Sequence, residues 1–422
     1  MRATAKRRRA SCRTVGHQRE TMTHVDQIRL NQDKLNVTAK MRSNLFNWRG
    51  QFTPEFVDYI LDTLACATDA TFDPFCGSGT VLLESARRGL ISTGFEINPA
   101  AYAMARFISL ATLSRRERES LCRSIQGRVM PLVGSYHDLP LFESGSTFRE
   151  SYRNLIHFAG DLLSQIDSKN EMVVALNGLF HAENGGRGDL VPTVSRSFEI
   201  ITSKLLELPN ATKPIMADLC DARLADQHLR GSVDLIITSP PYINVFNYHQ
   251  NYRSIMEVLG FDILKVAASE IGSNRKNRGN RFRTVVQYAL DMEEALASFA
   301  RCLKMNGLLV LIVGRESRVR GIPFCNSSIL LEIALHLTSY TQVVTSERVF
   351  VNRFGKRIKE DILVLKKSSG TPMPGNARQV AVDHLEKALD IADGNVAEDV
   401  EDTLAQIQTI TSSPLFSKKG II

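Results

Sequence analysis

Short apolar runs alternate with amphipathic stretches along most of this 422-residue chain. The run Val233-Asp234-Leu235-Ile236-Ile237 reads as a buried parallel strand, and it leads into Thr238-Ser239-Pro240-Pro241-Tyr242. Neither proline can donate a ladder hydrogen bond, so pairing must stop there and a stiff loop is delivered to the carboxyl edge of the strand. Upstream, Gln51-Phe52-Thr53-Pro54-Glu55 reads as a helix start, with Thr53 as cap and Pro54 in the first turn, and Phe56, Ile60, Leu61 and Leu64 follow at helical spacing. Ala70-Thr71-Phe72-Asp73 predicts a short strand, Pro74 to Thr80 a glycine turn, and Val81 to Ala86 a helix. Further strands are expected at Gly94–Glu96, Pro214–Asp218 and Leu308–Gly314, and helices at Tyr288–Cys302 and Ile329–Leu337. Val343–Val351 and Asp361–Leu365 form a closing hairpin around the basic tip Asn352-Arg353-Phe354-Gly355-Lys356-Arg357. Such alternation predicts an α/β doubly wound sheet that ends in an antiparallel pair.

The alternation breaks between residues 111 and 213. Helical patterns recur there near Tyr152–Ile166 and Phe198–Leu208, a loop is marked by Gly185-Gly186-Arg187-Gly188, and Arg115, Arg116, Arg118, Arg123 and Arg128 suggest a basic helix. A stretch this long exceeds an ordinary connection, so it is read as an inserted helical subdomain for target recognition. The expected organisation is a disordered, dispensable basic tail over 1–24, a sheet domain from 25–110 and 214–367, the insertion 111–213, and an acidic helical appendage over 368–422.

Charge changes this picture little. Of the net +7, six charges sit in residues 1–20, where Arg2, Lys6, Arg7, Arg8, Arg9, Arg13 and Arg19 face only Glu20. A second concentration matters more: Lys265, Arg275, Lys276, Arg278, Arg281 and Arg283 flank glycines and asparagines just after the Pro-Pro loop, as a phosphate clamp would. The polar aromatic run Asn247-Tyr248-His249-Gln250-Asn251-Tyr252 lies nearby and suits a nucleic-acid groove. Seven cysteines are scattered without a Cys-x-x-Cys pair or a His cluster, which argues for reduced thiols in a cytoplasm and against a zinc site. No apolar run is long enough for a membrane helix.

The chemistry-bearing residues fall in a definite order. Asp73-Pro74-Phe75-Cys76-Gly77-Ser78-Gly79-Thr80 is neither a Walker loop, since no Gly-Lys-Ser/Thr follows, nor the dinucleotide Gly-x-Gly-x-x-Gly, since the third glycine is missing. Its glycines allow close backbone approach, and the helix behind it presents free N–H groups. Glu96, followed by Ile97-Asn98-Pro99, stands about 20 residues on, where a ribose-binding carboxylate is expected.

With Ser239-Pro240-Pro241-Tyr242, this order resembles the S-adenosylmethionine-dependent amino-methyltransferases of DNA, the N4-cytosine and N6-adenine type, whose tetrapeptide is Asp/Asn/Ser-Pro-Pro-Tyr/Phe. The resemblance covers residues 44–110 and 214–367. It implies a class I methyltransferase fold (Rossmann-like) and S-adenosylmethionine held by Phe52, Thr53, Pro54, Asp73, Pro74, Phe75, Gly77, Ser78, Gly79, Thr80, Glu96, Ile97 and Asp221. Asp221 of Cys220-Asp221-Ala222-Arg223 matches the acid that takes the adenine amino group, with Asp218 as fallback and Cys220 in place of the usual Gly. Ser239, Pro240, Pro241 and Tyr242 become the catalytic set. The Ser239 side chain and the Pro240 carbonyl would accept the protons of an exocyclic amine, and Tyr242 would stack on a flipped base. No metal is required, and carbon-5 chemistry is disfavoured because no cysteine follows a proline. Serine at the head of the motif leans towards cytosine N4. Double-stranded DNA, contacted through Tyr248, Arg275, Lys276, Arg278 and Arg281, is then the partner, within restriction–modification and with a cognate restriction endonuclease alongside. An N6-adenine enzyme, an RNA or protein amino-methyltransferase, and a silent nucleic-acid-binding subunit remain open alternatives.

Overall fold

A computed structural model describes residues 28–38, 41–137, 148–185, 189–244, 248–273, 277–351 and 355–418. The basic tail, Gly186 to Gly188, Asn247, Arg275, Lys276 and the hairpin tip Asn352 to Phe354 lie outside the described residues.

Among the described residues nine strands form: β1 (Ala70–Asp73), β2 (Ile91–Glu96), β3 (Ile215–Leu219), β4 (Val233–Thr238), β5 (Leu303–Gly314), β6 (Glu316–Val319), β7 (Ile322–Cys325), β8 (Tyr340–Val351) and β9 (Arg357–Lys367). Seven of them make one sheet in the order β3-β2-β1-β4-β5-β9-β8. The first five pair in parallel, while β9 runs antiparallel to both β5 and β8. A doubly wound sheet with that single reversed strand near its edge is the class I methyltransferase architecture. The strand order reverses between β1 and β4, and an open α/β sheet holds its ligand in the crevice at such a switch point.

Burial follows position in the sheet. Leu235, Ile236, Ile237 and Thr238 of the central β4 are buried, as a strand covered on both faces requires. At the edge, β3 alternates: Ile215, Ala217 and Leu219 point inward, whereas Met216 and Asp218 are exposed. Asp218 therefore faces away from the crevice. The two-stranded hairpin of β6 and β7 was not anticipated; it follows β5 directly, with Glu316 opposite Cys325 and Val319 opposite Ile322.

Between β2 and β3 the described residues are largely helical. Pro99–Ser109 crosses back over the sheet, and Arg115–His137, Phe148–Leu163, Lys169–Gly185 and Leu190–Glu207 pack against it in a shared apolar cluster that also takes in Tyr252, Ile255 and Met256. Lys169–Gly185 is a helix that the sequence patterns did not reveal. The row of arginines is only partly a surface feature. Arg118 is buried, and its Nη1 donates to the carbonyls of Leu205 and Leu208 while Nη2 donates to Asn210 Oδ1, so it closes the carboxyl end of Leu190–Glu207. Arg128 pairs with Glu171 at 3.1 Å.

The charge-balanced helix Ala377–Leu389 and the acidic helix Gly394–Ala405 share an apolar cluster with helix Arg283–Cys302 through Ala377, Val380, Ala381, Leu385 and Val400. The acidic helix meets the basic loop directly: Arg283 pairs with Asp402 at 3.0 Å and Asn280 Nδ2 donates to Asp399 O and Asp402 Oδ2, while Arg320, in the turn between β6 and β7, pairs with Asp399. None of the described helices is long and apolar enough to cross a membrane.

Candidate active site

Asp73 ends β1 and touches its neighbour across the switch point. Its Oδ1 accepts from Thr238 Oγ1 of β4 at 2.6 Å and from Phe75 N at 3.1 Å. Gly77 and Gly79 then turn the chain at φ +51° and +87°. The two glycines do different work. Gly77 lines the crevice and donates its N–H to Glu96 Oε2 at 3.0 Å. Gly79 does not line it. A Cβ on Gly79 would stand 2.7 Å from Ile108 Cδ1 and 3.1 Å from Ala105 Cα, so this glycine lets helix Thr80–Arg88 pack against Pro99–Ser109.

Glu96, at the end of β2, accepts from Gly77 N on one oxygen and from Asn98 N, at 2.8 Å, on the other. Each oxygen keeps acceptor capacity for a diol. Burial raises both carboxyls to about 7, Asp73 against its bonds to Thr238 and Phe75, and Glu96 against its backbone donors. Asp221 stands differently. Its Oδ1 accepts from Arg223 N and Nε, and its Oδ2 from Arg223 Nη2 and Phe416 N. All its strong acceptor positions are engaged within the protein. Neighbouring Cys220 lines the crevice, with its thiol pushed up to about 11 by burial.

The Pro-Pro loop leaves β4 as anticipated, and it is braced beyond what two prolines provide. Ser239 Oγ and Tyr242 Oη share a hydrogen bond of 3.2 Å. The Tyr242 ring lies on the backbone of Gly314, where a Cβ would stand 2.7 Å from Cε2, and Gly272 passes so near that its Cβ would fall 2.3 Å from Tyr242 O. Asn326 ties the parts together by donating Nδ2 to Gly314 O and accepting from Ile243 N. Burial drives the Tyr242 phenol well above its ordinary range, so it is a neutral hydrogen-bonding group.

These parts share one crevice of about 1090 Å³, its open mouth included. Of the residues expected to hold a cofactor, Phe52, Asp73, Pro74, Phe75, Gly77, Ser78, Thr80, Glu96, Ile97 and Asp221 line it, and so do Ser239, Pro240, Pro241 and Tyr242. Thr53 and Pro54 do not. Thr53 Oγ1 instead accepts from Arg348 Nη2, and Arg348 is buried between Phe56 and Phe350 with Glu360 as its 3.0 Å partner. Tyr248, assigned to a nucleic-acid groove, is part of the crevice wall and stacks on Trp48 with ring centroids 6.0 Å apart. Arg278 and Arg281 are exposed and outside the crevice.

Sequence reasoning missed the wall made by Trp48, Gln51, Asn98, Ser269, Glu270 and Ile271. Gln51 Oε1 accepts from Ser78 Oγ at 2.8 Å, which joins the N-terminal segment to the glycine loop. Glu270 is buried and accepts from both His249 N and Nδ1 at 2.9 Å. The only sequence signal was the lone tryptophan beside Arg49-Gly50; nothing in the pattern marks Glu270.

No family model matches the chain, and no curated protein does. Among solved structures it is similar to TrmN from Thermus thermophilus, at 13% identity over 76% of this chain and 50% of that one, with a TM-score of 0.30. A SAM-dependent methyltransferase from Methanosarcina mazei aligns at 11% identity over 73% of this chain and 96% of that one, with a TM-score of 0.32. The rRNA methyltransferase aviRa from Streptomyces viridochromogenes aligns at 13% over 86% and 98%, with a TM-score of 0.27. The chain thus spans half the length of TrmN. The fold itself is given by the strand order β3-β2-β1-β4-β5-β9-β8 with β9 antiparallel.

Proposed function

We propose that this protein is an S-adenosylmethionine-dependent methyltransferase acting on the exocyclic N4 amino group of cytosine in double-stranded DNA. The observation that carries the reading is that Ser239-Pro240-Pro241-Tyr242 opens into the same crevice as Glu96 and the glycine loop. Charge supports the cofactor. Among the described residues that line the crevice, Asp73, Glu96, Asp221 and Glu270 are acidic and Arg49 is basic; Arg223 balances Asp221 from behind, and the remaining acids suit a ligand carrying a sulfonium and an ammonium. Strand order supports its orientation: β3, β2, β1 and β4 present Asp221, Glu96, the glycine loop and Ser239 in a row, three strand spacings or about 14 Å long. A ribose at Glu96 and a reacting methyl at Ser239 leave the adenine at Asp221.

When bound, the cofactor supplies an electrophilic methyl. The protein's task is to prepare the amine, whose lone pair is delocalised into the base. Ser239 Oγ and the Pro240 carbonyl accept its hydrogens and favour a pyramidal nitrogen. Tyr242 Oη, hydrogen-bonded to Ser239 Oγ, sets the direction of that hydroxyl. Rigid placement of the two reactants lowers the barrier further. Half-buried against Gly314, Tyr242 offers the base only the part of its ring that remains open to the crevice.

The test is single-turnover transfer of labelled methyl to duplex DNA by wild type and Ser239→Ala. A hydrogen bond that strengthens in the transition state should cost roughly 10- to 100-fold in rate when deleted. The melting temperature should hold. Wild-type turnover in a stable variant would remove Ser239 from the chemistry. Label entering RNA or protein but not DNA would reassign the substrate class, and label on adenine N6 would reassign the base.

A further inference from the structure

Asp221 has no acceptor position to spare, and one of its donors comes from the far end of the chain. Residues 413–416 run past the carboxyl end of β3 in two parts. The first is an anchor. Ser413 donates its N–H to Asp291 Oδ1 at 2.7 Å and its hydroxyl to Asp291 Oδ2 at 2.6 Å, and receives Gln287 Nε2 on Oγ at 2.6 Å. Arg223 Nη1 and Nη2 donate to the carbonyls of Ser413 and Pro414 at 2.7 and 2.9 Å. Asp291 and Arg223 are themselves buried, so the anchor is part of the protein interior.

Beyond it lies a finger. Phe416 donates its N–H to Asp221 Oδ2 at 2.9 Å, and its buried ring packs against Leu219 and Val266 with Ile97 and Phe261 around them. Ile97 and Asp221 both line the crevice. The finger, itself outside the crevice lining, thus occupies an acceptor of Asp221, the residue that the proposed function sets at the adenine end of the row running to Ser239. A carboxylate offers about four lone-pair positions, and Arg223 already holds three of those on Asp221.

We propose that residues 415–418 act as a competing strap: the Phe416 N–H and the adenine amino group of the cofactor contend for the same oxygen of Asp221, so the C-terminal segment sets cofactor affinity. This rests on the function proposed above. Binding would lift Phe416 off Asp221 while Ser413 stays anchored, and affinity would be lowered by the fraction of molecules in which the strap is closed.

The experiment compares the full-length chain with one ending at Pro414, with Phe416→Pro, which removes the N–H, and with Phe416→Ala, which keeps the N–H and removes the ring. Titration calorimetry with S-adenosylmethionine and S-adenosylhomocysteine reads affinity, and circular dichroism melting reads fold. The shortened chain and Phe416→Pro should bind roughly tenfold more tightly, as freeing a mostly occupied acceptor implies. Phe416→Ala should fall between these and wild type. Equal or weaker binding by the shortened chain and Phe416→Pro, with melting unchanged, would overturn the strap. So would a loss of affinity in Phe416→Pro alone with a lowered melting point, because the segment would then be building the pocket. A full-length protein that binds neither compound, with the shortened chain equally inert, would sink the proposed function itself; binding gained only on shortening would support the strap.

Discussion

Cofactor binding should depend on pH with a sign and size set by two carboxyls, the buried Asp73 and the half-buried Glu96. Asp73 and Glu96 are both held near 7, far above their ordinary values of 3.8 and 4.5, because burial disfavours their charged forms. No described basic side chain makes an ion pair with either of them. A cationic ligand in the crevice changes that balance and draws both towards the carboxylate. At about pH 6, one unit below their folded values, ionising each costs about 1.4 kcal/mol, whereas at about pH 8 the cost has nearly vanished. Affinity should therefore fall about tenfold per participating carboxyl between pH 8 and pH 6. Binding near pH 6 should release about one to two protons. Calorimetry in buffers of different ionisation enthalpy reads that number directly. Proton uptake, or an affinity indifferent to pH, would refute the reasoning. The same raised values act on the unliganded fold with the opposite trend. Between the ordinary carboxyl values and about 7 the folded state binds more protons than the unfolded one, so this contribution to stability is present at low pH and is lost as pH rises through 7.

Two further outcomes are expected. Gly79→Ala should destabilise the fold by roughly 2–4 kcal/mol in urea unfolding, combining a left-handed backbone with overpacking against Ile108 and Ala105; a loss too small to measure would show that the loop relaxes. Replacing Arg278 and Arg281 by Ala should flatten the salt dependence of DNA binding by about 0.9 per lost phosphate contact and leave cofactor affinity unchanged, while an unaltered slope would make these exposed side chains bystanders.

Local chemistry made the order of the strands, the glycine turn and the Pro-Pro loop legible from the chain alone. Apolar runs ending in Asp73, Glu96 and Thr238 have few alternatives to buried parallel strands, and prolines and glycines punctuate them without ambiguity. The acids came with that reading, since Asp73 and Glu96 close their strands. What each acid is free to do was not legible. Among the described residues Glu96 meets backbone N–H groups and keeps acceptor capacity, whereas Asp221 is enclosed by Arg223 two residues away and by Phe416 from almost 200 residues away. The division of labour between Gly77 and Gly79 depends on a helix approaching from outside the loop, and the diversion of Thr53 depends on Arg348. Arg118 stands in the sequence as one of five arginines of a basic helix, and spacing cannot show that the end of another helix would enclose it. Pattern and punctuation determine which elements form, because those preferences are local. Which polar groups are left for a ligand is decided by partners that only the closed fold brings within hydrogen-bonding distance.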